Sequence, residues 1–445
     1  MVTPVPATVF RAQLVDTVPG PRGPALRIEA DGALAVRADG TIGFRGAWAD
    51  LPAEYGAAPV VDHRDGFVLP GFVDTHVHFP QVFSTGAYGG GRLLTWLERC
   101  IFPAEARLAD PAFADIAADA FCARRAAAGT TTALVFGSAF PGAQKALYTQ
   151  SLAWGLRTIS GRGVQTLGPA AAAPLLTDID TALGLCRDEI GEWHGAGDGL
   201  VRSAVVPRFA LSLAPAEMRR LADFYDEVRG DGVYFHSHLS ENDSGPDGEV
   251  AAVRRAYGTT NYLDAYAGFL GRRSVFAHAV HCDDGELSAL AAAGSSIAHC
   301  PVSQLFLGSG TMPWRRTIDA GVTVALGTDV GAGDEWLLPR VANTAYKVHL
   351  SDRDSVALDA ATLLDLCTLA GARALDLDDR IGNLEAGKEA DFVVVDPHRS
   401  PGLRASLEHC GSGSEAAVFT LLMTMREDAV ASTYVRGRQV LSPAL

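Results

Sequence analysis

Short apolar runs rich in β-branched residues recur along the chain, and what separates them changes twice. Over residues 1–69 the runs ATVFRAQLVD, ALRIEA, ALAVRADGTIGFRG and GFVLP follow one another with only turns between, a pattern that predicts strands. Asp31-Gly32 and Asp39-Gly40 stand where hairpin turns would. From residue 70 to 383 the apolar runs TTALVFG, SAVVPRF, GVYFHSH, SVFAHAV, SSIAHC and VTVALGTDV are separated by helical patterns, clearest in LAPAEMRRLADFYDEVRG and DGELSALAAAGS. Residues 384–445 return to strands, ADFVVVDP and STYVRGRQVLS, with a turn at Gly437.

Strands alternating with helices imply βα units and a parallel sheet. About 310 residues of such units suit a closed (β/α)8 barrel of the TIM type better than a doubly wound sheet, because no G-x-G-x-x-G opens a helix. The expected fold is therefore α/β. A barrel spans 70–383, and residues 1–69 and 384–445 come together as one small β-sandwich domain.

Composition narrows the function classes. The 445 residues are 48% hydrophobic and 20% charged, which suits a folded globular chain. A net charge of −15 repels phosphate backbones and anionic lipid heads, so nucleic acid and membrane surfaces are not expected partners. The seven cysteines are scattered with no C-x-x-C, against both a disulfide framework and a thiolate zinc site. The first residues lack a basic, then apolar, leader pattern, and no run of about 18 apolar residues occurs, so a cytoplasmic location is expected.

Candidate chemistry gathers at the ends of the middle strands. His76 and His78 lie two apart on one run, so their side chains share a face. His236 and His238 repeat the spacing, and Glu241 follows where the strand passes into its loop, as a proton shuttle beside a metal should. His278 and His281 close a third run, and Asp329 closes a fourth, where an ionised carboxylate needs a cation or several donors. Each has a bland alternative: a buried histidine, a surface glutamate, a capping aspartate. Barrel strand ends converge on one face, which favours a shared metal site.

In this order and spacing, PGFVDTHVH, HSHLSEN, the His278 strand and LGTDV resemble the amidohydrolase superfamily of metal-dependent hydrolases. The segments Thr75–Gln81, Leu94–Leu97 with Phe102–Glu105, Val206–Ser212 and Ser296–Ser303 narrow the resemblance to the guanine deaminase family within it. The resemblance implies one zinc ion per chain held by His76, His78, His238 and Asp329, with Glu241 as proton shuttle and His278 beside the activated water. His236 and His281 are not implied as ligands. Gln81, Arg208 and Phe209 would face a purine, and Trp96 has a pocket role or a plain core role. The implied reaction is hydrolytic deamination of guanine at C2 to xanthine and ammonia, by a homodimer.

Binuclear members of the superfamily use a carbamylated lysine on a middle strand. The only lysine between His78 and His238 is Lys145, in a helical pattern, so one metal is expected. Two departures from the family pattern stand out. Asp334-Glu335-Trp336 would either reshape the pocket or lie on the surface. The glycine-rich stretch Gly86–Gly91 would be a lid or a bare turn. A pterin, isoxanthopterin or 8-oxoguanine shares the 2-amino edge of guanine and stays open as a substrate, as does a non-catalytic scaffold.

Overall fold

The computed structural model describes residues 6–441 except 22 and 412. Its strands, in chain order, are β1 (Ala7–Gly20), β2 (Gly23–Arg37), β3 (Ile42–Ala47), β4 (Val60–Pro70), β5 (Phe72–His78), β6 (Thr130–Phe136), β7 (Arg157–Gly161), β8 (Gly163–Val164), β9 (Val201–Pro207), β10 (Tyr234–Leu239), β11 (Ser274–His278), β12 (Ser296–His299), β13 (Thr323–Leu326), β14 (Phe392–Val395), β15 (Val430–Val435) and β16 (Arg438–Leu441).

Strands β5, β6, β7 and β9 to β13 pair in parallel as one path, with the two-residue β8 added beside β9. They are buried on both faces along almost every position, as strands enclosed by helices are. The path closes where β13 returns to β5. Thr75 Oγ1 donates to the Leu326 carbonyl at 2.9 Å, Asp329 N to the His76 carbonyl at 2.8 Å, and His78 N to the Val330 carbonyl at 3.0 Å. Gly327 sits in that seam, and a Cβ there would lie 2.7 Å from His76 Cβ, so only glycine lets the two strand ends approach.

The barrel interior is filled by Val73, Leu134, Ile159, Val206, Tyr234, Val275 and Ala298. The larger core lies between the strands and the outer helices, among them Pro215–Val228 and Asp284–Ala293, both expected from sequence. The latter starts with a reciprocal cap: Asp283 Oδ1 accepts from Glu286 N, and Glu286 Oε2 accepts from Asp283 N, each at 2.9 Å.

The two chain ends build one mixed seven-stranded sheet, ordered β16-β15-β14-β4-β1-β2-β3. The β4–β14 pairing joins them, and Phe10, Phe392 and Tyr434 pack as its aromatic centre. Asp39-Gly40 does turn β2 into β3, with Gly40 at φ 84°. Asp31-Gly32 does not turn the chain. It lies inside β2 at a register shift against β1, and Arg11 pairs with Asp31 at 2.7 Å. Arg157 ties the barrel to this sheet, reaching Glu389 at 2.6 Å and Asp391 at 3.2 Å. Burial alone would raise the Glu389 carboxyl, but Arg157, Arg436 and Arg380 hold it down to about 2.

Candidate active site

Four donors from three places in the chain meet at the strand ends. Asp329 Oδ1 stands 3.1 Å from both His76 Nε2 and His78 Nε2, and His238 Nε2 stands 3.2 Å from His78 Nε2. The donor atoms of all four side chains lie within 4.8 Å of one another. β5 delivers the first two histidines on one face, β10 delivers His238, and the chain leaving β13 delivers Asp329.

Hydrogen bonds around the cluster fix which ring nitrogens point into it. His238 Nδ1 bonds the Arg208 carbonyl at 2.6 Å, so it carries the proton and leaves a lone pair on Nε2. His236 Nδ1 bonds the Val275 carbonyl at 2.8 Å, which leaves its Nε2 to accept from His76 Nδ1 at 2.7 Å. His76 therefore also presents a lone pair on Nε2, an atom with no hydrogen-bond partner. Lone pairs and a carboxylate facing one another in a buried space repel unless a cation lies between them. The residues thus fit a divalent ion with nitrogen and oxygen ligands.

Glu241 and His278 stand next to this cluster. His278 Nε2 is 3.4 Å from Glu241 Oε2 and 3.8 Å from Asp329 Oδ2. Burial, reinforced by Asp329 and Glu249, pushes the Glu241 carboxyl well above the usual range. Burial pushes His278 down to about 3 and keeps its imidazole neutral. His278, like Asp329, has a positive φ, so the backbone is held in uncommon conformations where the chemistry gathers.

A pocket opens on the cluster. His78, His238, Glu241 and Asp329 line it together with Gln81, Arg208, Phe209 and Trp96. Leu93, Leu97, Leu307 and Ala332 complete apolar walls suited to a flat ring. Trp96 also donates to the Ala87 carbonyl at 2.8 Å and so anchors the glycine-rich stretch. The structure brings every sequence-singled residue of the site to this one place. His281 turns aside, bonding the Ser309 carbonyl at 2.8 Å. Trp336 packs on Phe121 beneath the site and Glu335 pairs with Arg340, so neither shapes the pocket. Lys145 is on the helix Pro141–Trp154, exposed and 3.8 Å from Glu192.

Three buried carboxylates that were not among the expected site residues organise the site. Asp74 accepts from His76 N and Thr328 N, each at 3.1 Å, and from Thr328 Oγ1 at 2.5 Å, clipping the Asp329 segment to the ligand strand. Its place two residues before His76, on the same strand face, was the available signal. Glu249 accepts from the backbone of Glu241 at 3.1 Å and of Asn242 at 2.9 Å, and from the Tyr262 hydroxyl at 2.5 Å. Glu105 accepts from Gln81 and from both terminal nitrogens of Arg208. Nothing in the local pattern marks Glu249 or Glu105 as buried.

Residues 67–440 match the amidohydrolase family. A Deinococcus radiodurans protein named "Probable guanine deaminase" is 42% identical over 426 residues, 93% of this chain and 94% of that one. A 5-methylthioadenosine/S-adenosylhomocysteine deaminase of Symbiobacterium thermophilum is 32% identical over 381 residues, 83% of this chain and 82% of that one. The solved structure of E. coli guanine deaminase superposes with a TM-score of 0.89 at 33% identity, covering 98% of this chain and 99% of that one.

Proposed function

The chain belongs to the amidohydrolase family, and from that premise we propose that it is a zinc-dependent hydrolase that deaminates guanine at C2 to give xanthine and ammonia. His76, His78, His238 and Asp329 would hold one ion per chain, which when bound would make a water acidic enough to ionise near neutral pH. Asp329 orients and accepts the water proton. Glu241 gives its proton to ring N3, which makes C2 electrophilic; it then relays the water proton held by Asp329 to the departing amine and takes back the hydroxyl proton as the C2 carbonyl forms. His278 faces the oxygen that adds to C2 and steadies its developing charge.

Recognition of the ring falls to the far polar groups. Two of the five guanidinium N–H groups of Arg208 are taken by Glu105, and three remain for acceptors such as O6 and N7. The Gln81 amide gives one N–H to Glu105 and accepts from Gly331 N at 3.1 Å, which fixes its remaining N–H. Phe209 and Trp96 offer apolar faces. A donor-rich end suits a ring with an oxo group at C6 rather than an amine.

The observation that carries the reading is the meeting of the buried Glu241 carboxyl with the four-donor cluster, in a pocket whose polar walls are Arg208 and Gln81. The test is ammonia release from guanine, pterin, isoxanthopterin, 8-oxoguanine and 5-methylthioadenosine by zinc-loaded enzyme. Guanine turns over fastest; faster turnover of any other ring overturns the substrate assignment. Absence of bound zinc after careful preparation would instead favour a scaffold. In this reading residues 70–383 form the catalytic unit and 1–69 with 384–445 its companion, in a cytoplasmic homodimer that sedimentation would reveal. Among the described residues no helix is long and apolar enough to cross a membrane.

A further inference from the structure

Arg208 faces the ring pocket, yet its charge is cancelled from behind. The Glu105 carboxylate takes Arg208 Nη1 at 2.5 Å and Nη2 at 2.9 Å, and neither side chain exposes more than a tenth of its surface. Glu105 does not line the pocket. It lies behind Arg208 and Gln81, and the Phe102 ring packs on the guanidinium, 5.0 Å from its centroid. Such a pair offers N–H donors without net charge. An unpaired guanidinium in the same place would seize any anion.

That distinction matters for a deaminase of oxo-purines, and the inference rests on that reading. Guanine is neutral at physiological pH. Replacing its amine by a carbonyl leaves a ring N–H next to a second carbonyl, which makes xanthine the stronger acid, ionising near neutrality. We propose that Glu105 sets the charge preference of the pocket: by neutralising Arg208 it makes the site accept neutral oxo-purines and release anionic ones, the product's anion included. Glu105 is thus a positioning and charge-compensating residue that never touches the ring. Besides Arg208, the titratable groups facing the ring are His78, His238, Glu241, Glu249 and Asp329. Their carboxyls add to the rejection of anions. These groups are the same in the wild type and in a Glu105 variant, so comparing the two proteins at one pH isolates the charge at position 105.

The experiment is calorimetric titration of zinc-loaded enzyme with xanthine and with hypoxanthine, at about pH 6 and about pH 8. Xanthine passes from neutral to mainly anionic over that interval, and hypoxanthine stays mainly neutral. In the wild type the affinity for xanthine relative to hypoxanthine falls from the lower to the higher pH. Glu105→Gln keeps an acceptor for Arg208 and Gln81 but removes the charge, and at about pH 8 shifts the ratio toward xanthine by roughly tenfold. The double variant Glu105→Met with Arg208→Met restores zero charge and, though it binds both rings less tightly, returns the ratio to the wild-type value. A merely structural role for Glu105 would weaken both rings alike. An unchanged ratio in Glu105→Gln overturns the proposal. If that variant does not fold, a wild-type ratio that holds or rises with pH overturns it equally. Failure of both rings to bind the wild type removes the oxo-purine reading itself, and the proposal with it.

Discussion

The Nδ1 of His76 lies 2.7 Å from the Nε2 of His236, and that contact decides what His76 can do for a metal. Because His236 is committed to the Val275 carbonyl on its other side, the proton of the shared bond belongs to His76. Each ring fixes the tautomer of the next, and the chain ends on a lone pair aimed at Asp329. Outer partners of this kind change metal affinity by about 10–100-fold. His236→Ala should therefore weaken zinc binding by that order in chelator competition, while His236→Gln, which keeps an acceptor, recovers much of it. Equal zinc affinity in all three proteins would mean that the histidine pair is only packing.

Glu241 has a different kind of role, and its variant should separate metal from catalysis. Its carboxyl is buried, burial pushes its pKa up, and its Oε1 has no hydrogen-bond partner. Glu241→Gln preserves size and should leave zinc content at the wild-type level. Turnover should fall by about 10²–10⁴, the usual worth of a positioned acid–base group. Near-normal turnover in a zinc-replete variant would remove Glu241 from the proton path.

The sequence exposed the four clustered donors more readily than the residues that hold them in place. His76 and His78, His238 and Asp329 were visible because strand parity and strand-end position are local properties. The barrel was visible because most of its strands are apolar runs. β7 was not: Arg157-Thr-Ile-Ser-Gly161 has one large apolar side chain, and its burial comes from Arg157 reaching the Glu389 cluster and Ser160 meeting Gln144. Asp31-Gly32 read as a turn because a bulge and a hairpin use the same dipeptide. Glu105 and Glu249 look like solvent-facing helix residues, and only partners up to 103 positions away make them buried acceptors.

Glu249 should set both the aim and the acidity of Glu241. It caps the backbone N–H groups of Glu241 and Asn242, just after Ser240 takes a positive φ of 46° to turn the chain. Glu249→Leu strands those two buried N–H groups, at about 1–3 kcal/mol each, and should lower both the melting temperature and kcat. Glu249→Gln keeps an acceptor but removes a negative charge that raises the Glu241 pKa. Loss of that charge lowers the pKa, so the pH-rate limb that needs protonated Glu241 should move to lower pH. A limb that stays in place, or moves up, would place its origin in another group.

Acid stability should report a second buried pair, His299 and His349, which are not among the four clustered donors. Their Nε2 atoms are 2.9 Å apart, and the Trp314 ring lies 4.9 Å from that of His349. Burial brings the His349 pKa down to about 4, from 6.5 in an exposed chain, and pushes His299 down as well. Between those two values the unfolded chain binds a proton at position 349 that the folded chain refuses. Stability must then rise with pH across this window, and must be lost as pH falls from about 6.5 toward about 4. A shift of that size corresponds to about 3 kcal/mol from His349 alone. Metal-free enzyme, unfolded by guanidinium at a series of pH values, should show this decline, and His349→Gln should flatten it by a comparable amount. An equal slope in the variant would mean that the imidazole takes up its proton inside the fold, and that the pair is held by a shared positive charge.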